Sequence, residues 1–174
     1  QFIKERKMKM KQISLPQASI LTSPNPVSLI CTLKEDQTTN LATVSWYTYL
    51  SYHPWMIGFA MSKPSYSGER IRKTHEAILT IPGKELKEIV QLCGSSTGRH
   101  VNKVDQYHIP LEKVLNSKIQ IPQNSKVIMV LNCKEYIEVG DHYLYICEVK
   151  DVYANEQKEA LFAYQGYGKI DVAK

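Results

Sequence analysis

The sequence predicts a mainly β domain, an antiparallel barrel with a few helices on its outside. Three observations carry this. Runs that read as strands outnumber helical runs about two to one. Nowhere do strands and helices alternate in the manner of a parallel sheet. The pair Gly140-Asp141 separates two long β-rich runs, a strong hairpin signal.

The elements follow in order. Val27–Leu33 is β-branched and apolar, bounded by Pro24, Asn25 and Pro26 and by a polar turn, Lys34–Asn40. Its hairpin partner is Leu41–Leu50. A third strand, Trp55–Ser62, is entered through His53 and Pro54. Lys63–Thr74 opens with Pro64, Ser65, Ser67 and Gly68, then runs into Glu69-Arg70-Ile71-Arg72, a loop followed by a helix start. Glu76–Ile81 is a fourth strand, ended by Pro82 and Gly83. Lys84–Cys93 is an amphipathic helix with Leu86, Ile89, Val90 and Cys93 on one face. The stretch 94–124 reads as irregular. Lys126–Val139 and His142–Tyr153 form the long hairpin. In the tail, Glu159–Tyr164 reads as helical and Gln165–Gly168 as a turn, the whole a surface-docked segment.

At 174 residues, 43% apolar and 22% charged, the chain suits one compact domain. That domain is expected over residues 13–174, behind a basic leader at 1–12 that is flexible or in part foreign to the native chain, with Met8 and Met10 as candidate starts. Of the net charge of +5, most lies in that leader, where Lys4, Arg6, Lys7, Lys9 and Lys11 face only Glu5. The rest of the chain is nearly neutral, which argues against a nucleic-acid-binding face. The longest apolar run, Trp55–Met61, is far short of the roughly 20 residues a membrane helix needs. No apolar block follows the basic start, so no secretory signal is expected. Cys31, Cys93, Cys133 and Cys147 form no C-x-x-C pair and read as reduced core thiols of a cytoplasmic protein. The five histidines are scattered, and no metal site is expected.

No Rossmann glycine motif, phosphate loop, zinc-protease helix or nucleophile elbow is present. Three segments still look like more than scaffold. In Asn40-Leu-Ala-Thr-Val-Ser-Trp46, Thr43 and Ser45 share one face of a strand, and Ala42, Val44 and Trp46 the other. Small hydroxyl residues there leave room and donors for a flat polar ligand, or else simply face water. In Ser62-Lys-Pro-Ser-Tyr-Ser-Gly-Glu-Arg70, hydroxyls and a helix start suit a phosphate, with charge from Lys63, Arg70 and Arg72. The plainer reading is an N-cap by Ser65 or Ser67. The third segment, Ser95–Lys103, carries Arg99 and Lys103 on a polar loop, and joins Gly140-Asp-His142, where His142 stands either at a barrel mouth or merely at a strand start.

Together, in this order, these pieces resemble the flavin reductase-like family with the FMN-binding split-barrel fold, nearest its flavoredoxin branch. The residues carrying the resemblance are Asn40–Trp46 with Ser51 and Pro54; Ser62, Ser65, Ser67 and Ile71; Ser96–Arg99 with Lys103; and Gly140–His142. The resemblance implies that the strand with Asn40, Ala42, Thr43, Val44 and Ser45 lies along the isoalloxazine ring, with Trp46 and Tyr47 packed near it. It implies that Ser62, Ser65 and Ser67 reach the ribityl phosphate beside Arg70. Arg99 and Lys103 would face the phosphate or ribityl side, and His142 the reactive face. It further implies a homodimer with FMN at the subunit interface, and hydride transfer from NADH or NADPH to flavin N5. The alternative within the resemblance is an FMN electron carrier serving a redox protein partner without nicotinamide activity.

Overall fold

The computed structural model, which describes residues 9–173, resolves the β-rich reading into two sheets and a two-stranded ribbon. In chain order the elements are α1 (Leu15–Leu21), β1 (Asn25–Pro26), β2 (Ser28–Leu33), β3 (Thr39–Val44), β4 (Tyr47–Tyr52), β5 (Trp55–Ser62), α2 (Tyr66–Thr74) and β6 (Glu76–Pro82). A 3₁₀ turn at Lys84–Leu86 leads into α3 (Lys87–Gly94), followed by α4 (Lys103–Gln106), β7 (Leu111–Glu112), β8 (Ile121–Pro122), β9 (Ser125–Val139), β10 (His142–Ala154), β11 (Leu161–Tyr164) and β12 (Lys169–Val172). The basic leader's Lys4, Arg6, Lys7 and Met8 lie outside the described residues.

The large sheet runs β3-β2-β6-β9-β10-β5-β4, with every pairing antiparallel. Its two edges, β3 and β4, are consecutive in the chain. Laid flat, seven strands would hold those edges about 29 Å apart. The Ser45-Trp46 link can reach only about 11 Å. The sheet therefore curls into a barrel. At the link the Ala60 amide donates to the Trp46 carbonyl at 2.9 Å, which carries the β4–β5 ladder up to the seam. This closure also corrects the expectation of one unbroken strand over Leu41–Leu50: the ladder breaks at Ser45-Trp46, where the chain crosses from one sheet edge to the other.

Alternation sorts the side chains into two cores. Ile30, Ile57, Phe59, Leu79, Leu131 and Tyr145 fill the barrel, and Ile71 of α2 plugs it. On the outer face Leu29, Cys31 and Ile78 pack beneath Leu86, Val90 and Cys93 of the α3 region and beneath Leu161, Ala163 and Ile170 of the small β1-β11-β12 sheet. Burial on both faces explains why β2 reads as an apolar run without alternation. The long hairpin turns at Gly140, whose φ of +56° glycine adopts without strain. Register shifts near Cys147 and Asp151 bend it around the barrel.

One further correction arises here, together with one element the sequence reading did not include. Glu159–Tyr164 is not helical: Leu161 and Ala163 are buried at period two, and the segment pairs with β1 and β12. The start of α1 carries a capping box, in which the Ser14 hydroxyl accepts from the Gln17 amide and the Gln17 side chain accepts from the Ser14 amide. That Ser-x-x-Gln signature was legible beside Pro16 and unused. No helix among the described residues is long and apolar enough to cross a membrane.

Truncating a barrel-filling ring should cost far more than truncating a hairpin ring outside it. Phe59→Ala should lower the unfolding free energy by about 3–5 kcal/mol. Tyr52→Ala, at an exposed position, should change it by less than about 0.5 kcal/mol. Urea denaturation of both variants checks this, and equal losses would contradict the assignment of the barrel interior.

Candidate functional site

Barrel closure sets β3 beside β5, and a cleft of about 760 Å³ opens along their seam. Its floor is Ala42–Trp46 and Ala60–Ser62. One end is built by Pro64–Ser67 at the start of α2 and by Ser96–His100 in the loop after α3. His142 stands at the turn of the long hairpin, and Ala163, Gly166 and Tyr167 close the far side.

The sequence-predicted residues Ala42, Thr43, Val44, Ser45, Trp46, Ser62, Ser65, Ser67, Arg99, Lys103 and His142 all line this one cleft. Thr43 and Ser45 thus meet Ser65 and Ser67 within a single chain. Three others are placed elsewhere. Asn40, 2% exposed, lies behind the wall, and its amide Nδ2 donates to Ser67 Oγ at 2.8 Å. Tyr47 sits on β4 opposite Phe59, where burial pushes its phenol up to about 12. Arg70 is on the inward face of α2. Its Nε donates to the Leu33 carbonyl at 2.8 Å and its Nη1 to Glu35 at 2.6 Å. It ties α2 to the end of β2, and the charge assigned to it at a phosphate is not offered to the cleft.

The floor hydroxyls are already committed as donors. Thr43 Oγ1 donates to the Val90 carbonyl at 2.6 Å, and Ser45 Oγ donates to the Pro26 carbonyl. What they retain is accepting capacity. At the other end, Ser65 caps α2 by accepting from the Gly68 amide at 3.2 Å. The amides of Tyr66 and Ser67, the first two of the helix, have no partner among the described residues. They point the positive end of the helix dipole out of its first turn.

Cations frame this end. Arg99 donates to Glu69 at 2.5 Å and lies 5.3 Å from the Tyr66 ring centre. Lys103 is 3% exposed, and its Nζ donates to the carbonyls of Leu41 and Cys93, each at 2.8 Å. Burial holds its pKa below the ordinary lysine value. Among the described residues no aspartate or glutamate lines the cleft. Eight serine and threonine residues do. Such a lining favours an anion at the cationic end. Near the hairpin, the Trp46 and His142 rings lie 4.8 Å apart, and His142 Nδ1 is 2.7 Å from Asp141 Oδ1. Asp141 is held below its usual range by that contact.

Sequence reasoning read Tyr167 as part of a surface-docked tail, with packing over the barrel or a partner subunit as the other possibility, and did not place it in the cleft that it lines beside Ser45. It also missed Ser19 and Asn25 at the opposite rim. The one local signal was the Gln165–Gly168 turn, in which Gly166 takes φ +66°. Gly98 approaches Asn40 so closely that a Cβ there would stand 2.0 Å from Asn40 Oδ1. Among the described residues no group of three His, Cys, Asp or Glu side chains could hold a metal ion.

Comparison with known proteins adds to this geometry. The family model described as flavin reductase like domain matches residues 20–171. An uncharacterized protein of Archaeoglobus fulgidus is 28% identical over 115 residues, covering 65% of this chain. The match spans 64% of that relative, less than two thirds of its length. An FMN-binding protein from Thermus thermophilus, solved with bound 1-cyclohex-2-enone, superposes with a TM-score of 0.80 at 22% identity, covering 95% of each chain. A flavoredoxin from Methanosarcina acetivorans superposes with a TM-score of 0.82 at 17% identity, covering 96% of this chain and 92% of that one.

The Glu69–Arg99 contact makes an acid-range prediction. Hydrogen bonds from Lys73 and Arg99 lower the Glu69 pKa from an ordinary 4.5 to about 2. Its stabilising effect is complete above pH 4.5 and is lost as pH falls through 2. The gap in melting temperature between the wild type and Glu69→Gln should be widest near neutrality and close toward pH 2. A gap independent of pH would show the contact to be absent in solution.

Proposed function

The chain belongs to the flavin reductase-like domain family, and from that premise we propose that its cleft binds FMN and uses it as an NADH- or NADPH-dependent flavin oxidoreductase. The observation that carries the reading is the two-ended lining: hydroxyls, unpaired helix amides and cations without a carboxylate at one end, and a flat wall of Ala42, Val44, Trp46 and Met61 beyond it. The residues fit a planar ring with an anionic tail. The cleft volume lies within the usual range for a cofactor site. The solved relatives named for FMN and for flavoredoxin support the same assignment.

When bound, FMN supplies two-electron redox chemistry, accepting hydride from reduced nicotinamide and passing electrons onward. The chain's own residues do the rest. Ser62, Ser65 and Ser67, with the free amides of α2 and Arg99, hold the phosphate. Asn40 orients Ser67, and Arg70 anchors the helix that carries it. Thr43 and Ser45, having donated their protons to the backbone, would act as acceptors toward a ring N–H. Lys103, tied to two carbonyls, holds β3 against the end of α3 and brings positive charge to the wall. Asp141 fixes the His142 ring at the mouth beside Trp46, at the face where a nicotinamide would stack. No general base is required, in keeping with a lining free of carboxylates.

Exposed aromatic side chains, Trp46 at the cleft and Tyr49, Tyr52 and Trp55 along the β4–β5 hairpin, give the reading a homodimer, with the second copy seated on that hairpin beside the cleft. Four free cysteines suit a reducing cytoplasm. The alternative, an FMN electron carrier acting on a redox protein partner, shares every binding contact and differs only in its response to nicotinamide.

The purified protein should be yellow or should quench added FMN fluorescence, and mixing with NADH or NADPH should bleach the flavin. A protein that binds no FMN overturns the reading. One that binds FMN without bleaching leaves the carrier. Arg99→Ala and Ser67→Ala should each raise the FMN Kd about tenfold, from loss of a charge-assisted hydrogen bond worth roughly 1.5–3 kcal/mol. Lys150→Ala, at an exposed position of β10 outside the cleft lining, should leave the Kd unchanged.

A further inference from the structure

Two cysteines that play no part in the cleft face each other across the long hairpin. Cys133 on β9 is the direct cross-strand partner of Cys147 on β10. Both are buried, in the core that fills the barrel. The Cys133 amide donates to the His75 carbonyl at 2.7 Å, on the side of β9 away from β10. Cys133 therefore occupies a non-hydrogen-bonded position of the β9–β10 ladder. Such pairs bring Cα atoms to about 4.5 Å and their side chains closest together. Disulfides accept Cα separations from about 4.4 Å to 6.8 Å. The two thiols share one core and lie near enough for each to shift the other's pKa. The register shift beside Cys147 gives the strands local freedom at this point.

We propose that Cys133 and Cys147 form an oxidisable dithiol, converted by hydrogen peroxide into a cross-strand disulfide within the barrel wall. The roles within the pair are unequal. Cys147 is fully buried and its thiolate is strongly disfavoured, whereas the neighbouring Cys147 thiol holds the Cys133 pKa below the ordinary thiol value; the Glu135 carbonyl, 3.4 Å from Cys133 Sγ, accepts from that thiol until its proton is lost. Cys133 is thus the attacking sulfur. Its thiolate attacks one peroxide oxygen: an S–O bond forms, the O–O bond breaks, and hydroxide leaves to be protonated. The Cys147 sulfur then attacks the Cys133 sulfenic acid: the S–S bond forms, the S–O bond breaks, and the second water leaves with the Cys147 proton. Two thiols lose two electrons, and one peroxide becomes two waters. Peroxide is small and uncharged, as entry to a buried pair demands.

The other two cysteines serve as an internal comparison. Cys31 and Cys93 share the outer core, on different elements: Cys31 is on β2 and Cys93 on α3. Burial holds both thiols above their ordinary value, and neither faces a cysteine across a ladder: Cys31 stands opposite Leu41 and Ile78, and Cys93 is on a helix. They should stay reduced.

The experiment treats the intact protein with a small molar excess of hydrogen peroxide, quenches with an alkylating agent under denaturing conditions, and maps peptides by mass. The expected result is a chain lighter by two hydrogens, two of its four thiols protected from alkylation, and one peptide pair linking Cys133 to Cys147, reversed by dithiothreitol. Cys147→Ser should replace the link with an added oxygen on Cys133, and Cys133→Ser should remove most of the peroxide reactivity. A link between Cys31 and Cys93, a link between chains, or four thiols unchanged after prolonged exposure would each overturn the proposal. Because the readout is covalent and requires no cofactor, it is independent of whether the cleft binds FMN.

Discussion

The cleft depends on a two-residue constraint. Ser45 and Trp46 join the two edge strands of a seven-stranded sheet, and so short a link cannot span a flat one. Curling is the only arrangement that satisfies both the ladder and the chain. The closure leaves a seam beside β5, and the Ala60-to-Trp46 hydrogen bond carries the β4–β5 ladder up to it. That seam lays the small side chains of β3 against those of β5, and small side chains leave a groove. The helix α2, entered directly from β5, brings its N-terminus to the same groove. One closure event thereby assembles a flat wall and an anion-attracting end.

Electrostatics divides along the same line. Among the described residues the cleft is lined by Arg99, Lys103 and two histidines, and by no carboxylate. Glu69 and Glu35 stand just outside it, where they steady Arg99, Arg70 and Tyr66. Lys103 is buried with its donors spent on backbone carbonyls, so it contributes a fixed charge and does not reach out as a flexible arm. Arg70 looks in sequence like one more phosphate ligand. Its position on the buried face of α2 makes it a strut, which leaves Arg99 as the cation able to touch an anion directly.

Hydroxyl groups show the same separation of appearance from role. Thr43 and Ser45 alternate along a strand as donors in waiting, yet both protons are taken by carbonyls from Val90 and Pro26. Only the fold brings those acceptors near. The two residues keep their place in the wall and change their hydrogen-bonding sense from donor to acceptor.

Much was legible from residue order alone. The β-branched runs, the Gly140-Asp141 turn, the amphipathic α3 and the serine-rich entry to α2 are local patterns, governed by backbone sterics and by the period of side-chain burial. They bring eleven of the expected residues to one cleft. The break at Ser45-Trp46, the inward turn of Arg70, the strand at Leu161–Tyr164 and the arrival of Tyr167 beside Ser45 were not legible. Each depends on a partner far away in the chain: β5, Leu33, β1 and β3 respectively. Sequence determined which segments could be strand, helix or polar loop, because those choices follow from near neighbours. Tertiary structure decided which polar atoms remain free for a ligand, because in a closed barrel every backbone carbonyl competes for the same side-chain protons.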